Sequence, residues 1–473
     1  MNKTECKNKR YTFQAAGKRD VVGEFNGGHI SSDAGVLLLG EVENKRHIIK
    51  RLSESFVDHR DQRYVEHSVQ ELLKQRIYGI ALGYEDLIDH DELRVDPLLA
   101  ASIGKQEPTG EDRPRQRDKG KPMAGKSTLN RMELRRDNPE EDGRYKKIAL
   151  NEEALKRLMV DVFLEAHEEA PEKVILDMDS TDDLIHGHQE GRFFHAYYGN
   201  YCYLPLYIFC GDFLLCARLR EANHGDSPGV VEELGPMISQ IRQRWPNVRI
   251  VLRADSAFGT DPIMSWCEQN GVDFLFGKAK NKRLESEIKQ EMEQARQEYQ
   301  RTGKPARVFK DFMYQTLDSW SQKRRVVGKA EHLDKGSNPR FVVTSLSEQE
   351  IDAQSLYEKE YCARGEMENR IKEQQLCLFA DRTSTGRMKS NQLRLWLSSM
   401  AYIVLNEMRR IGLPDTEMKN AQCNTIRLRV LKIGALVRVT VRRVLVSFSS
   451  AYPHQRVFEQ IYNNLVAYEA VHC

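Results

Sequence analysis

The sequence has no long hydrophobic run and few cysteines. No stretch of about 18 uncharged apolar residues occurs among its 473 residues, and the amino terminus MNKTECKNKRYTF has no apolar signal core. The sequence therefore predicts neither a membrane span nor export, and the cytoplasm is the expected compartment. The nine cysteines are scattered singly and include no CxxC pair, which argues against a zinc ribbon or a disulfide framework.

A strong excess of charge of either sign is also missing. The chain has 72 basic and 70 acidic residues, a net charge of +2, and this balance alone does not indicate a nucleic-acid partner. The distribution is less even, because residues 381–473 contain fourteen Lys and Arg but only six Asp and Glu. This segment is typical either of a surface that binds a polyanion or of a solvated helical face.

The hydrophobic pattern changes along the chain. Apolar residues at helical spacing predict helices over 33–53 and 64–82, and residues 105–126, which contain almost no large apolar side chain, predict an exposed linker. Short apolar runs that alternate with helical segments follow after residue 151 and indicate an α/β sheet. A last strongly helical region begins at Tyr361.

Acidic residues end two of the apolar runs. Asp177 and Asp179 end the run KVILDMD, and Asp255 ends VRIVLRAD. Side chains alternate along a strand, so Asp177 and Asp179 project from the same face. An acid that closes a buried strand is costly unless it is solvated or paired, and α/β proteins build their sites at strand ends. We therefore expect one or both of the paired acids to lie near Asp255.

A third acid is predicted to lie on a helix. Tyr361, Arg364, Glu368 and Lys372 are separated by three, four and four residues and share one helical face. Strand-end acids that face a helical acid form an oxygen-only cluster, which suits Mg²⁺ or Mn²⁺ and phosphoryl transfer with two metal ions. Taken singly, such acids are more often turn formers or ion-pair partners, and the helical residues could be solvent-exposed polar side chains without a catalytic role.

Three ordered blocks together resemble one family. Residues 176–181 (LDMDST), 252–258 (LRADSAF) and 361–373 (YCARGEMENRIKE) are similar to the three acidic blocks of DDE transposases from bacterial insertion sequences, most closely the insertion sequence family numbered 1380. The third block matches the first part of the Y-x2-R-x3-E-x6-K signature. Supporting stretches within 83–133 and 391–396 extend the resemblance over nearly the whole chain.

The resemblance implies an α/β fold with a ribonuclease-H-like catalytic core and a β-rich insertion domain, plus helical N-terminal and C-terminal regions. Asp179, Asp255 and Glu368 are then the catalytic metal ligands, with Asp177 in reserve, because Asp-Ser-Thr at 179–181 parallels the Asp-Gly-Thr usual in the family. The domains expected are a mainly helical DNA-binding region 1–150 with its linker 105–126, core segments 151–280 and 356–400, the insertion 281–355 and a basic helical region 401–473. Strand candidates in the insertion are 307–316, 323–330 and 340–345.

Several DNA contacts are implied as well. Tyr361 and Arg364 would position phosphates, and Trp320 could stack on a DNA end, although a buried tryptophan is the commoner case. The signature lysine is missing, because Gln375 occupies its place, so Lys372 or, less directly, Lys389 would contact phosphate instead.

The function implied is binding of terminal inverted repeats, followed by strand cleavage and transfer to target DNA with two Mg²⁺ or Mn²⁺ ions in a homodimeric complex near the bacterial nucleoid. A structure-specific nuclease or resolvase with the same core, or a non-catalytic DNA-binding descendant, are the alternatives. A third alternative is a transition-metal site formed by His186, His188 and His195, although closely spaced loop histidines are usually surface polar groups.

Overall fold

The computed structural model describes residues 9–134, 147–225 and 227–469. These residues form two compact units. The first comprises the described residues of Met1–Ser53, Asp58–Met132 and Glu407–Glu469, and the second those of Glu54–Val57 and Glu133–Asn406. The candidate site residues all belong to the second unit. In the described ranges, no helix is long and apolar enough to cross a membrane.

The described chain contains both strands and helices. The strands are β1 (Arg10–Ala16), β2 (Arg19–Glu24), β3 (His29–Ser31), β4 (Phe56–Asp58), β5 (Ile148–Leu150), β6 (Lys173–Ser180), β7 (Asp183–Leu184), β8 (Phe193–His195), β9 (Asn200–Tyr203), β10 (Leu206–Cys210), β11 (Phe213–Arg218), β12 (Arg249–Ala254), β13 (Asp273–Lys278), β14 (Ala306–Tyr314), β15 (Arg324–Leu333), β16 (Gly336–Ser337), β17 (Arg340–Thr344), β18 (Ala435–Val439) and β19 (Val444–Phe448). The α-helices are α1 (Val36–Arg46), α2 (Ile48–Glu54), α3 (Val69–Leu82), α4 (Asp89–Leu93), α5 (Pro97–Ile103), α6 (Lys126–Glu133), α7 (Glu152–Glu165), α8 (Val230–Arg244), α9 (Asp261–Gln269), α10 (Lys282–Glu287), α11 (Lys289–Thr302), α12 (Ala353–Ser355), α13 (Gly365–Leu378), α14 (Met388–Glu407), α15 (Cys423–Ile426) and α16 (Gln455–Ala467).

The second unit is a mixed α/β structure with one large mixed sheet. Its nine strands include the path β11-β10-β6-β12-β13-β17-β15-β14, with β16 beside β15. The neighbours β6, β12 and β13 are parallel, whereas β10 and β11 on one side and β17, β15 and β14 on the other are antiparallel to their neighbours. Because β6 and β12 are parallel, their carboxyl ends meet at the same edge of the sheet.

Alternation along the central strands separates the hydrophobic core from the candidate site. Leu176 and Met178 on β6 and Leu252 on β12 are fully buried in the core cluster on one side of the sheet. The residues between them, such as Asp177 and Arg253, must therefore point to the opposite side. The polar residues of these strands thus share one face, while the apolar residues hold the other against the core.

Both of the first two segments predicted to be helical contain helices, but the helices begin and end at other residues than predicted. The segment 33–53 forms α1 and α2, which are separated at His47, where the backbone adopts a left-handed conformation with φ 51°. Helix α3 begins later than the predicted 64, at Val69, because Ser68 and Glu71 form a capping box that starts the helix there.

The apolar run 201–213, YCYLPLYIFCGDF, predicts one strand, but in the structure it is divided between β9, β10 and the first residue of β11. Pro205, which has no backbone N–H to donate, lies between β9 and β10, and Gly211 turns the chain before β11 with φ 56°. The three strands predicted between 307 and 345 are present as β14, β15 and β17, and they extend the large sheet from β13. Residues 401–473, expected to be helical, also contain the hairpin β18–β19, which pairs with β3.

Candidate active site

The candidate site lies where β6 and β12 end. In the parallel register of these strands, Arg253 is the partner of Asp177 and Ala254 is the partner of Met178. Asp179 and Asp255 each follow by one residue, so the backbone brings both acids to the same edge. On the other side of β6, Asp179 is paired with Tyr207 of β10.

Asp177 forms a closed ion pair with Arg253. The Arg253 Nε and Nη2 atoms donate to the two carboxylate oxygens at 2.5 Å and 2.8 Å, and Nη1 donates to the backbone carbonyl of Glu360. Both side chains are buried. Burial raises the pKa of Asp177, and the hydrogen bonds and charge of Arg253 act in the opposite direction. Since each oxygen of Asp177 already accepts a strong hydrogen bond, this acid ties β6 to β12 and to the segment before α13.

Asp179, two residues along the same strand, has a more open arrangement. Arg364 Nη1 donates to Asp179 Oδ2 at 3.1 Å, and Arg364 Nη2 donates to Glu368 Oε1 at 2.9 Å. The second oxygen of Asp179 accepts from the backbone N–H of Ser180 at 3.0 Å. Arg364 therefore bridges the acid of β6 and the acid of α13, and the Glu368 side chain remains 44% exposed.

Asp255 and Tyr361 lie at the adjacent part of the edge. Asp255 Oδ1 accepts from the backbone N–H of Ala257 at 2.9 Å, which fixes the turn after β12. Tyr361 packs beside Gly277 of β13, where an added Cβ would lie 2.6 Å from the tyrosine hydroxyl and 2.9 Å from the Ser256 nitrogen. Gly277 thus leaves the space in which Tyr361 lies against the turn that carries Asp255.

The electrostatics of the site reflect an excess of negative charge. The pKa of Asp179 is raised to about 6, mainly by burial and in part by the charges of Asp255 and Glu368, whereas the charge of Arg364 lowers it. For Arg364, burial acts to lower the pKa, but the surrounding acids more than compensate and raise it. A site in which one arginine is shared among three carboxylates favours additional positive charge.

Carboxylate oxygens are the donors that Mg²⁺ and Mn²⁺ prefer, and the chemistry of Asp179, Asp255 and Glu368 fits such an ion. In the described ranges, however, no group of three or more His, Cys, Asp or Glu side chains is arranged to hold a metal ion. Arg364 donates a hydrogen bond to one oxygen of Asp179 and another to one oxygen of Glu368. A metal would have to displace Arg364 from these oxygens. The same finding removes support from a metal site at His186, His188 and His195.

Two other predicted DNA-binding residues differ in exposure. Lys372 is exposed on α13. Trp320 is only 5% exposed and packs edge-on against Tyr314, with the Lys278 amino group 4.7 Å from its ring centre. A DNA base could stack on Trp320 only if the surrounding side chains moved.

Gln375, which replaces the signature lysine, contacts the chain just beyond Asp179. Its amide Nε2 donates to Asp183 Oδ1 at 3.1 Å, to the Asp182 carbonyl at 3.3 Å and to Thr181 Oγ1 at 3.4 Å. Sequence reasoning missed these contacts and those of Arg253. The available signal for Arg253 was a cation directly after the apolar run 250–252, two residues before Asp255.

Comparison with known proteins gives one extensive match. The sequence model of the family described as Transposase DDE domain group 1 matches residues 13–470. No curated protein matches the chain. Among solved structures, the chain is similar to the cryo-EM structure of a piggyBac transposase synaptic complex with hairpin DNA, with a TM-score of 0.40, 11% identity, and coverage of 85% of this chain and 80% of that chain.

Proposed function

This chain belongs to the family of group 1 DDE transposases, and on that premise we propose that it cuts DNA at the terminal inverted repeats of an insertion sequence and joins the ends to target DNA. Membership in the family implies DNA phosphoryl transfer and a ribonuclease-H-like core. Assignment to the insertion sequence family numbered 1380 is the finer proposal, and it rests on the three acidic blocks.

The observation that carries the proposal is the convergence of acids at one sheet edge. Asp179 lies near the end of the central strand β6, Asp255 follows its parallel neighbour β12, and Glu368 on α13 is connected to Asp179 through Arg364. This order of acids, on the first strand, after the fourth strand of the core and on a later helix, matches the expectation for a ribonuclease-H-like core. The strand order β11-β10-β6-β12-β13 supports the same assignment.

Asp179, Asp255 and Glu368 would hold two Mg²⁺ or Mn²⁺ ions. When bound, such ions activate the attacking oxygen and stabilise the leaving oxygen in displacement at phosphorus. Arg364, displaced from the carboxylates, can donate two parallel hydrogen bonds to a DNA phosphate, and Tyr361 lies beside it. The Asp177–Arg253 pair joins the two strands β6 and β12 and contributes to the stability of the fold.

Two displacements make up the proposed reaction. In the first, water attacks the phosphorus atom at an element end, the P–O3′ bond breaks, and the 3′ oxygen takes a proton to become a free hydroxyl. In the second, that hydroxyl attacks a phosphorus atom of target DNA, displaces a target 3′ oxygen and loses its proton. Joining two ends requires both in one complex, so a homodimer on DNA is part of the proposal.

The test uses purified protein, Mg²⁺ and duplexes carrying the matched inverted repeats that flank the reading frame. Wild-type protein should give nicked and joined products. Glu368→Gln should bind the same duplex and give neither product. Glu366→Gln, which makes the same chemical change on an exposed position of α13, is the matched control and should retain both activities. Full activity in Glu368→Gln would overturn the assignment, and nicking without joining in wild-type protein would support a nuclease instead.

A further inference from the structure

A small sheet is inserted between β6 and β10. It has the order β7-β9-β8, with antiparallel pairing throughout. Strand β7 begins at Asp183, only four residues after Asp179, and four extended residues span at most about 14 Å. Strand β9 ends at Tyr203, two residues before Pro205. Strand β10 then begins at Leu206, whose partner on β6 is Ser180. The base of this small sheet is therefore attached directly to the candidate active site.

The base of the small sheet is held by several hydrogen bonds. Gln375 on α13 donates to Asp183, as described above, and Arg220 donates to Ser180 Oγ at 2.6 Å and to the Leu204 carbonyl at 3.1 Å. The Tyr203 hydroxyl, on the strand partner of Asp183, donates to the carbonyl of Glu190 at 2.5 Å. These contacts fix the base relative to β6 and to the helix that carries Glu368.

Aromatic side chains on β8 and β9 are exposed, in contrast to the fixed base. Phe194 and Tyr201 are cross-strand partners, 55% and 45% exposed, with ring centres 5.5 Å apart. The Arg192 guanidinium lies 3.8 Å from the centre of the Tyr201 ring. We call these three residues the aromatic platform. Tyr197, at the tip of the same hairpin, is 86% exposed.

The surroundings of the aromatic platform favour a polyanion with flat rings. The segment 382–389 adjoins the small sheet, because Glu190 N–H donates to the Gly386 carbonyl at 2.9 Å and Gln189 donates to the Thr383 carbonyl at 3.2 Å. This segment carries three exposed cations, Arg382, Arg387 and Lys389. Exposed aromatic rings, a guanidinium stacked on one of them and nearby cations are the combination by which proteins hold unpaired nucleotides.

We propose that the aromatic platform stacks on unpaired DNA bases beside the phosphate that is cut. This inference rests on the proposed function, and it identifies the DNA state that the site engages. A duplex end must be locally opened for its backbone to enter a site on the sheet edge, and stacking on Phe194 and Tyr201 would stabilise the bases that lose their partners.

The test measures binding of the full-length protein to two labelled single strands by fluorescence anisotropy, without Mg²⁺ so that no cleavage occurs. One strand is an oligothymidine of about 16 nucleotides, and the other has the same length of backbone with abasic sites in place of bases. The double variant Phe194→Ala with Tyr201→Ala should bind the oligothymidine about 5- to 100-fold more weakly than wild type, and should bind the abasic strand equally well.

Two further variants control for folding and for general loss of aromatic surface. Phe194→Tyr with Tyr201→Phe keeps both rings and should bind like wild type. Tyr64→Ala removes a tyrosine that is 78% exposed elsewhere in the chain, and it should also bind like wild type. Thermal melting of each variant identifies any that fails to fold. If the alanine pair fails to fold, the comparison of wild-type affinity for the oligothymidine and the abasic strand still tests the proposal.

The proposal would be overturned if the alanine pair and wild type bound the oligothymidine with equal affinity, or if wild type bound the two strands with equal affinity. It would also be overturned if the alanine pair differed from wild type only in its oligomeric state. The last outcome would assign the surface to a second copy of the chain. The binding measurement does not depend on cleavage. The affinities of wild type and variants can therefore be compared even if the protein proves to have no transposase activity.

Discussion

Asp177 and Asp179 are two residues apart on the same face of β6, but their environments differ. Asp177 shares two hydrogen bonds with a buried arginine that also donates to the backbone of Glu360. Asp179 shares one bond with Arg364, which is divided between two acids, and its pKa is raised to about 6. The closed pair has its charge balanced locally, whereas the open cluster has more negative than positive charge.

On the proposed function, this difference distinguishes a structural acid from a metal-binding one. A buried ion pair in which both oxygens are used holds two strands together and has no capacity left for a ligand. An acid near other acids, with a shared arginine, can exchange that arginine for a cation of higher charge. The comparison therefore favours Asp179 over Asp177 as the metal ligand on physical grounds that are independent of the family resemblance.

The largest expected effect concerns strand cleavage. Asp179→Asn removes one negative charge from the proposed metal site and should lower the nicking rate by at least about 1000-fold, since metal ligation is worth several kcal/mol in the transition state. Asp177→Asn, assayed below its melting temperature, should retain most of the wild-type rate. A gel assay of labelled end-bearing DNA compares the two, and the opposite ranking would reverse the roles assigned to these acids.

The next effect concerns stability. Asp177→Asn leaves the buried Arg253 without its anionic partner and should lower the free energy of unfolding by about 3–5 kcal/mol. Urea denaturation in EDTA measures it, and adding Arg253→Met to Asp177→Asn should restore part of the loss because no buried charge remains. An unaltered unfolding midpoint in Asp177→Asn would show that the ion pair does not hold the strands.

A smaller effect depends on pH in the metal-free protein. The pKa of Asp179 in the folded state, about 6, exceeds its ordinary value of 3.8, so the native state binds this proton more tightly than the unfolded state. Stability is therefore lost as pH rises from about 4 to about 6 and stays lost above that range. Asp179→Asn should be more stable than wild type by about 1–3 kcal/mol at pH 8 and similar to it at pH 4.

The control for this pH series is Asp318→Asn, which changes an exposed aspartate and should show no such pH-dependent gain. Chemical denaturation at several pH values in EDTA provides the measurement. If Asp179→Asn were less stable than wild type at pH 8, the open cluster would be a stabilising one, and its contrast with the closed pair would disappear.

Much of the local structure could be predicted from the sequence, because it depends on neighbours along the chain. Apolar runs and alternation located β6 and β12, and helical spacing placed Arg364 and Glu368 on one face. The choice between Asp177 and Asp179 could not be made this way, because both project from the same face of one strand. It depends on Arg253, whose contact with Asp177 requires the parallel pairing of two strands that are far apart in sequence.

The remaining features depend on pairing over long sequence distances. The strands between 306 and 344 could be located, but their union with β13 in one sheet follows from the pairing of β13 with β17. The aromatic platform was not foreseen, because exposed and buried aromatic residues look alike in a sequence and the stretch 201–213 reads as one strand. Trp320 is buried, which is the commoner of the two cases that the sequence left open for it.

The most direct test of the central claim is a count of bound Mn²⁺ by electron paramagnetic resonance in wild type, Asp179→Asn and Asp177→Asn, each below its melting temperature. Wild type and Asp177→Asn should bind the ion with similar affinity, and Asp179→Asn should lose most of that binding. Undiminished Mn²⁺ binding in Asp179→Asn, with loss in Asp177→Asn, would contradict the assignment of Asp179, Asp255 and Glu368 as the metal site.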